Sequence, residues 1–266
     1  MRKVSPFNVL AIVLGLAFLY LPIAILVVCS FNASPLVTAW GGWSTRWYAQ
    51  AANDTAILDA ALISLRIAVV SASAATLLGV LAALALVRLC RFRGRLTFAS
   101  MIYAPLVMPE VITGLSILLL FVAIAADRGF WTVAIAHTTM AMCMVTVIIQ
   151  SRLLALDLSL EEAAMDLGAT PLRTFLTVTL PLIAPAIAAA WLLGVALSLN
   201  DLVIASFTTG PAAITLPIRI YSDIRLGANP EIGAVCSIFI GIVGVAVLSA
   251  ALLAKLTGVR GAPVRP

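Results

Sequence analysis

Charge is scarce in this chain. Asp, Glu, Lys and Arg make up 10% of its 266 residues and hydrophobic residues 63%, against about 25% and about 45–50% in ordinary soluble domains. With a mean hydropathy of +1.17, that balance excludes a soluble globular domain and implies a chain that crosses a membrane several times. Lysine is rarer still, at Lys3 and Lys255 only. Neither sits in a GxxxxGK[ST] phosphate loop, so an ATP-hydrolysing engine of that kind is excluded. The single histidine, His137, and the scattered Cys29, Cys90, Cys143 and Cys236 supply no CxxC pair and no metal-ligand spacing. No Ser-His-Asp set emerges. The cysteines read as small buried hydrophobes. The expectation is a non-catalytic chain with no metal and no cofactor of its own. Low-complexity segments and soluble domains are also lacking.

What is abundant is long apolar sequence. A bilayer core about 30 Å thick needs about 20 apolar residues in a helix, and six stretches qualify. They run over about 9–29, 60–87, 99–126, 131–150, 182–207 and 232–254. The first follows a basic Met1-Arg2-Lys3 start. It is longer than a signal-peptide core of about 7–15 residues and reads as an anchor. Basic residues divide unevenly between the two sides. Arg2, Lys3, Arg88, Arg91, Arg93, Arg95, Arg152, Arg173, Lys255, Arg260 and Arg265 flank one side; Arg46, Arg128, Arg219 and Arg225 flank the other. Cytoplasmic loops collect Lys and Arg. The split therefore predicts six spans with both termini cytoplasmic, and accounts for the net charge of +5 without a nucleic-acid partner. The organisation expected is an anchor helix and outer loop (1–59), a membrane domain (60–255) and a cytoplasmic tail (256–266).

Trp40, Trp43, Trp47 and Tyr48 crowd the first outer loop. They read as rings at the headgroup level, with a ligand cage as the alternative. The loop at 208–231 carries the turn markers Gly210-Pro211, Pro217 and Asn229-Pro230.

One inner stretch, EEAAMDLGATPLRTFLTVTLP (161–181), is polar and regular. Ser159 followed by Glu162 has the spacing of a capping box. Glu161, Glu162 and Asp166 put negative charge where a helix dipole favours it. Ala163 and Ala164 are strong helix formers. Gly168 suits a left-handed helix stop, and Thr170-Pro171 reads as the cap and first residue of a second helix. Two short helices joined at a glycine are expected. They either lie on the membrane surface or dock on a partner, with small alanines allowing close approach and exposed acids meeting basic groups.

The spacing Glu162-Ala163-Ala164, Gly168, Val178, Leu180-Pro181 resembles the EAA loop of ATP-binding-cassette importer permeases. Further motifs, Ser30-Phe31-Asn32, 42–48 (GWSTRWY), 105–109 (PLVMP) and 201–207 (DLVIASF), are similar to the polyamine importers, nearest to the putrescine type. The resemblance covers almost the whole chain. It implies an all-α, six-span type I importer permease of the bacterial inner membrane. The coupling helix would hold Glu161, Glu162, Ala163, Ala164, Asp166 and Gly168 against a cytoplasmic ATPase. It also implies a second homologous permease, two ATPase copies binding ATP and Mg, and a periplasmic substrate-binding protein.

Ionisable residues inside a membrane are costly, about 2.5–3.5 kcal/mol on insertion scales, and are candidates for function. Glu110 lies in the third stretch behind Pro109, which is expected to kink the helix and free carbonyls. Asn200 and Asp201 lie late in the fifth, and Arg66 early in the second. Glu110 and Asp201 are a fitting pair for a diamine in a water-filled path, with Asn200 beside them. Relatives of the polyamine type tend to carry an acid where this chain has Asn200, which alters the charge expected of the path. The alternative is structural: either carboxylate pairs with Arg66 or caps freed backbone. His137 reads as a hydrogen-bond partner of a neighbouring helix rather than a proton shuttle. Other functions compatible with parts of this pattern are an importer permease for another solute, an ion-coupled transporter using Glu110, and a membrane-embedded enzyme or scaffold. The EAA-like spacing disfavours the last two.

Overall fold

The computed structural model describes residues 5–36, 39–89, 92–227 and 230–242. Cys90, Arg91, Asn229, the basic residues of both termini, the tail at 256–266 and most of the sixth stretch lie outside them. Among the described residues the chain is helical, with one isolated bridge between Asn32 and Trp43. It divides into two units, Met1–Leu58 with Ile220–Pro266, and Asp59–Arg219.

In the first unit, α1 (Pro6–Cys29) is apolar and exposed around its whole circumference, as suits a helix surrounded by lipid. A loop organised by buried Asn32 follows. Its Nδ2 donates to the Ala39 carbonyl at 2.7 Å, and its Oδ1 accepts from the backbone N–H of Gly41 (2.8 Å) and Ser34 (3.0 Å). Trp47, on α2 (Arg46–Asn53), is buried and donates its indole N–H to the Asn32 carbonyl at 2.7 Å. Trp40 and Trp43 stay exposed and meet edge to face at 5.1 Å. The aromatic loop is thus half core and half surface. Gln50 ties α2 to Glu231 at 2.8 Å, on the apolar helix α11 (Pro230–Ile242).

The second unit is built on α3 (Thr55–Arg88), which reaches it at Asp59, α6 (Phe130–Leu154) and α9 (Leu180–Asn200). The buried face of α3 is a stripe of small residues: Ala60, Ser64, Ala68, Ala72, Ala75, Gly79 and Ala83. Lipid tails are as apolar as leucine, so helices in a bilayer associate by close packing, which small residues permit. A Cβ placed on Gly79 would stand 2.7 Å from Val145 Cγ1 of α6, and one on Gly194 of α9 would stand 3.2 Å from Ala72 Cβ. Around these contacts Ala83, Val145, Ile149, Leu153, Ile183 and Ala190 form the core.

Two expected spans are broken. The third stretch forms α4 (Arg95–Val107) and α5 (Glu110–Ala123), bent by 117°, far more than a kink. Pro109 has no N–H to give, and its ring forces Met108 into an extended conformation at ψ 141°. The Pro109 carbonyl then starts α5 by accepting from Ile112 and Thr113. The fifth stretch ends its long helix at Asn200. Asp201 is extended, and a short α10 (Val203–Thr208) follows and packs on α5 and α6. Four described helices are long and apolar enough to cross a membrane, or five if the bent pair counts as one.

Candidate functional site

The two breaks face a common space. A cavity of about 240 Å³ is lined by Glu110, His137, Met140, Met144, Ser198, Asn200 and Asp201, with apolar residues between. The sequence-selected Glu110, Asn200 and Asp201 come together here. They reach it because each sits where a proline or an Asp ends a helix, so backbone irregularity is confined to a cavity wall. Their states differ. Asp201 is engaged: Oδ1 accepts the Ile204 N–H at 3.0 Å, starting α10, and Oδ2 lies 2.8 Å from His137 Nε2. That second contact has ion-pair distance but poor hydrogen-bond alignment. Glu110 is exposed in the cavity, in the first turn of α5 where the helix dipole favours an anion, and among the described residues no side chain pairs with it. Neither carboxylate meets Arg66, which is exposed on α3. Among the described residues no three His, Cys, Asp or Glu side chains gather as metal ligands would.

His137 is 3% exposed. Its Nδ1 lies 2.7 Å from Ser198 Oγ on α9, which in turn meets Ser71 of α3 at 3.3 Å. The expectation of a hydrogen bond to a neighbouring helix holds. Its contact with Asp201 was not foreseen, since 64 positions separate the two and no local pattern joins them.

At the other end of the unit lies the polar loop. α7 (Ser159–Asp166) has no buried residue. Its start differs from the expected capping box. Leu158 holds the N-cap position without a side-chain bond, and Asp157 Oδ1 instead accepts the Ser159 N–H at 3.0 Å. Those bonds from Ser159, backbone first and then side chain, hold the Asp157 carboxyl below its ordinary range. Gly168 has φ +87°, the left-handed stop anticipated. Thr170 caps α8 (Pro171–Thr174), its Oγ1 accepting the Arg173 N–H at 3.4 Å. This second helix is not a separate short piece. It runs through a π turn (Phe175–Thr179) into α9 as one 30-residue helix, Pro171–Asn200. Pro181 cannot donate to the carbonyl four residues back, and the π turn just before it absorbs the misfit.

The acids of α7 face two ways. Glu162 and Asp166 are exposed with Ala163, whereas Glu161 and Ala164 are half-buried. Glu161 Oε1 accepts from Arg88 Nη2 at 2.5 Å and from Thr179 Oγ1 at 2.8 Å. Arginine at helix ends does structural work elsewhere too: Arg95 reaches the Leu86 carbonyl at 3.0 Å and Arg152 the Leu182 carbonyl at 3.3 Å.

A family described as binding-protein-dependent transport system inner membrane component matches residues 75–257. The chain belongs to that family. The match spans both the cavity and the polar loop of this inner-membrane component. The chain is also 55% identical over 247 residues to the putrescine transport system permease protein PotI of Escherichia coli K12, covering 91% of this chain and 88% of that one. It is 40% identical to the spermidine/putrescine transport system permease protein PotC of the same organism, over 90% of each chain. Its fold matches crystal structures of a bacterial ABC transporter that imports alginate. One match has a TM-score of 0.68 at 18% identity, covering 95% of this chain and 99% of that one. The other, solved with an alginate-bound periplasmic protein, has 0.72 at 17%, covering 96% and 95%. The inner-membrane component is therefore an all-helical, multi-pass ABC importer permease.

Proposed function

We propose that this permease carries putrescine or a related polyamine from periplasm to cytoplasm. Its 55% identity to PotI over nine-tenths of the chain carries the proposal. The cavity chemistry fits it: a diamine carries two ammonium groups, and Glu110 and Asp201 line one space with Asn200 beside them. In this reading the chain pairs with a second, homologous permease, and a periplasmic binding protein delivers the amine. Two copies of a cytoplasmic ATPase bind ATP with Mg and meet α7 through Glu162, Ala163 and Asp166. Six spans place both termini in the cytoplasm, and hydrolysis belongs to the ATPase, not to this chain. ATP binding closes the ATPase pair and displaces α7, and rigid-body motion of the packed helices turns the cavity outward. Hydrolysis resets it.

The test is uptake of labelled putrescine by transport-deficient cells supplied with all components, with and without this chain. A Gly168→Pro version at equal membrane abundance is the third arm. Proline fixes φ near −65° and cannot hold the turn found at Gly168. ATP-dependent uptake that needs the chain and is lost with Gly168→Pro is the expected result. Uptake of spermidine or another amine in place of putrescine would reassign the cargo, and equal uptake with Gly168→Pro would refute docking by this loop.

A further inference from the structure

A helix that receives a push must be fastened to what it moves, and α7 buries no residue. Its fastening is polar. Arg88 is the last residue of α3, Glu161 lies in the first turn of α7, and Thr179 closes the π turn at the root of α9. All three meet at Glu161 Oε1, at 2.5 Å and 2.8 Å. The Arg88 and Glu161 side chains are 26% and 18% exposed, and Thr179 is buried. Glu161 is thus withdrawn from the face that Glu162, Ala163 and Asp166 present to the cytoplasm. A carboxylate that accepts from a guanidinium and a hydroxyl is oriented more firmly than a single ion pair would be. Each partner in turn belongs to a long helix in the packed core, where α3 meets α6 at Gly79 and α9 meets α3 at Gly194.

We propose that Arg88 is a positioning residue for energy coupling: the Arg88–Glu161–Thr179 junction makes α7 move as one body with the inner ends of α3 and α9. This rests on α7 being the docking element proposed above. Without the junction, α7 swings on Gly168 and on the segment at 155–158, and a partner's displacement is absorbed locally. The junction is partly open to water, where an ion pair adds little to folding, so its loss loosens coupling without unfolding the chain.

The experiment uses the whole importer in proteoliposomes, measuring labelled putrescine imported and ATP hydrolysed by the same preparation. Arg88→Ala and Glu161→Gln are expected to keep assembly and hydrolysis while the ATP used per putrescine rises at least about fivefold, the low end of an ordinary coupling energy. Arg88→Lys recovers part of the loss. The swap Arg88→Glu with Glu161→Arg recovers most of it, since the Thr179 hydroxyl can accept as well as donate. A wild-type ratio in Arg88→Ala, or a swap that restores nothing, overturns the proposal. Hydrogen exchange over 159–167 in the solubilised complex gives a readout independent of cargo. Exchange should quicken in Arg88→Ala and return in the swap, and unchanged exchange refutes the junction even where transport is lost. Failure of the wild-type complex to import putrescine, with the exchange pattern as expected, would instead count against the cargo.

Discussion

Gly168 offers a perturbation whose size follows from two observations. Its φ is +87°, and a Cβ built there meets nothing within 4 Å. A side chain at this position therefore strains only the backbone. Holding an ordinary L-residue in the left-handed region costs about 1–2 kcal/mol, which lowers the ratio of correctly turned to misturned loops by about 5–30-fold. Asn tolerates that region through local hydrogen bonding, and β-branched Val tolerates it least. ATP-dependent putrescine uptake at matched membrane abundance should fall in the order Gly, Asn, Ala, Val. Hydrolysis by the ATPase should be measured beside it. Asn as damaging as Val would show that any Cβ is refused, as when a docked partner crowds the glycine. Equal uptake by all four would show that the turn carries no coupling, and the reasoning would be wrong.

Other outcomes follow from particular contacts. Gly79→Ala forces a Cβ to within 2.7 Å of Val145 and should destabilise by about 1–3 kcal/mol, read as a lower Tm of the purified complex; Gly194→Ala, with 3.2 Å available, should cost less, and Val145→Ala should partly rescue the first. Asp157→Ala should fray the start of α7 by hydrogen exchange, whereas Ser159→Ala should fray it less, because the backbone N–H of Ser159, not its hydroxyl, makes the main bond. The Asp157 carboxyl is held below its ordinary range, so its support is complete above about pH 4 and is lost as pH falls through the lowered value; protection of the 159–162 amides, taken relative to their intrinsic exchange at each pH, should be flat from neutral to about pH 4 and fall below it, and Asp157→Asn should abolish that fall.

The apolar stretches, the glycine stop at Gly168 and the Thr170-Pro171 start are all visible in sequence, because each depends on neighbours within a few residues. The small residues of α3 recur every three to four positions, but only their packing against α6 and α9 marks that stripe as the buried face. The failures have physical reasons. A proline behind an apolar run implies a bend but not its angle, which the packing of α5 against α10 decides at 117°. Ser159 and Asp157 both offer an oxygen to the same helix start, and two positions of slack select Asp157. Glu161 and Glu162 are adjacent and chemically alike. Only the place of Arg88, 73 positions away, tells which of them turns inward. The His137–Asp201 contact is hidden for the same reason. Candidate carboxylates could be found because charge in an apolar segment is conspicuous, but their engagements could not.

That difference in engagement separates the roles of the two carboxylates. Asp201 already serves the fold: one oxygen starts α10 and the other faces His137. Glu110 has no other side-chain partner among the described residues, and it stands in the first turn of α5, where the helix dipole favours an anion. An entering cation must compete with His137 at Asp201 but has no rival at Glu110. Glu110→Gln preserves shape and removes one charge from the cavity. At about 4 Å and an effective dielectric constant near 20, an ammonium and a carboxylate attract by about 4 kcal/mol before desolvation is subtracted. If about a third of that survives, KM for a diamine rises about tenfold with Tm unchanged. Asp201→Ala should instead lower Tm, because the Ile204 N–H loses its acceptor and His137 its facing oxygen; Asp201→Asn should keep the first contact and fall between. KM and Tm measured together on the three variants decide the matter. A Glu110→Gln importer with unaltered KM would remove Glu110 from the path. An Asp201→Ala importer with unaltered Tm but a raised KM would mean that the amine, rather than α10, is what Asp201 is there to hold.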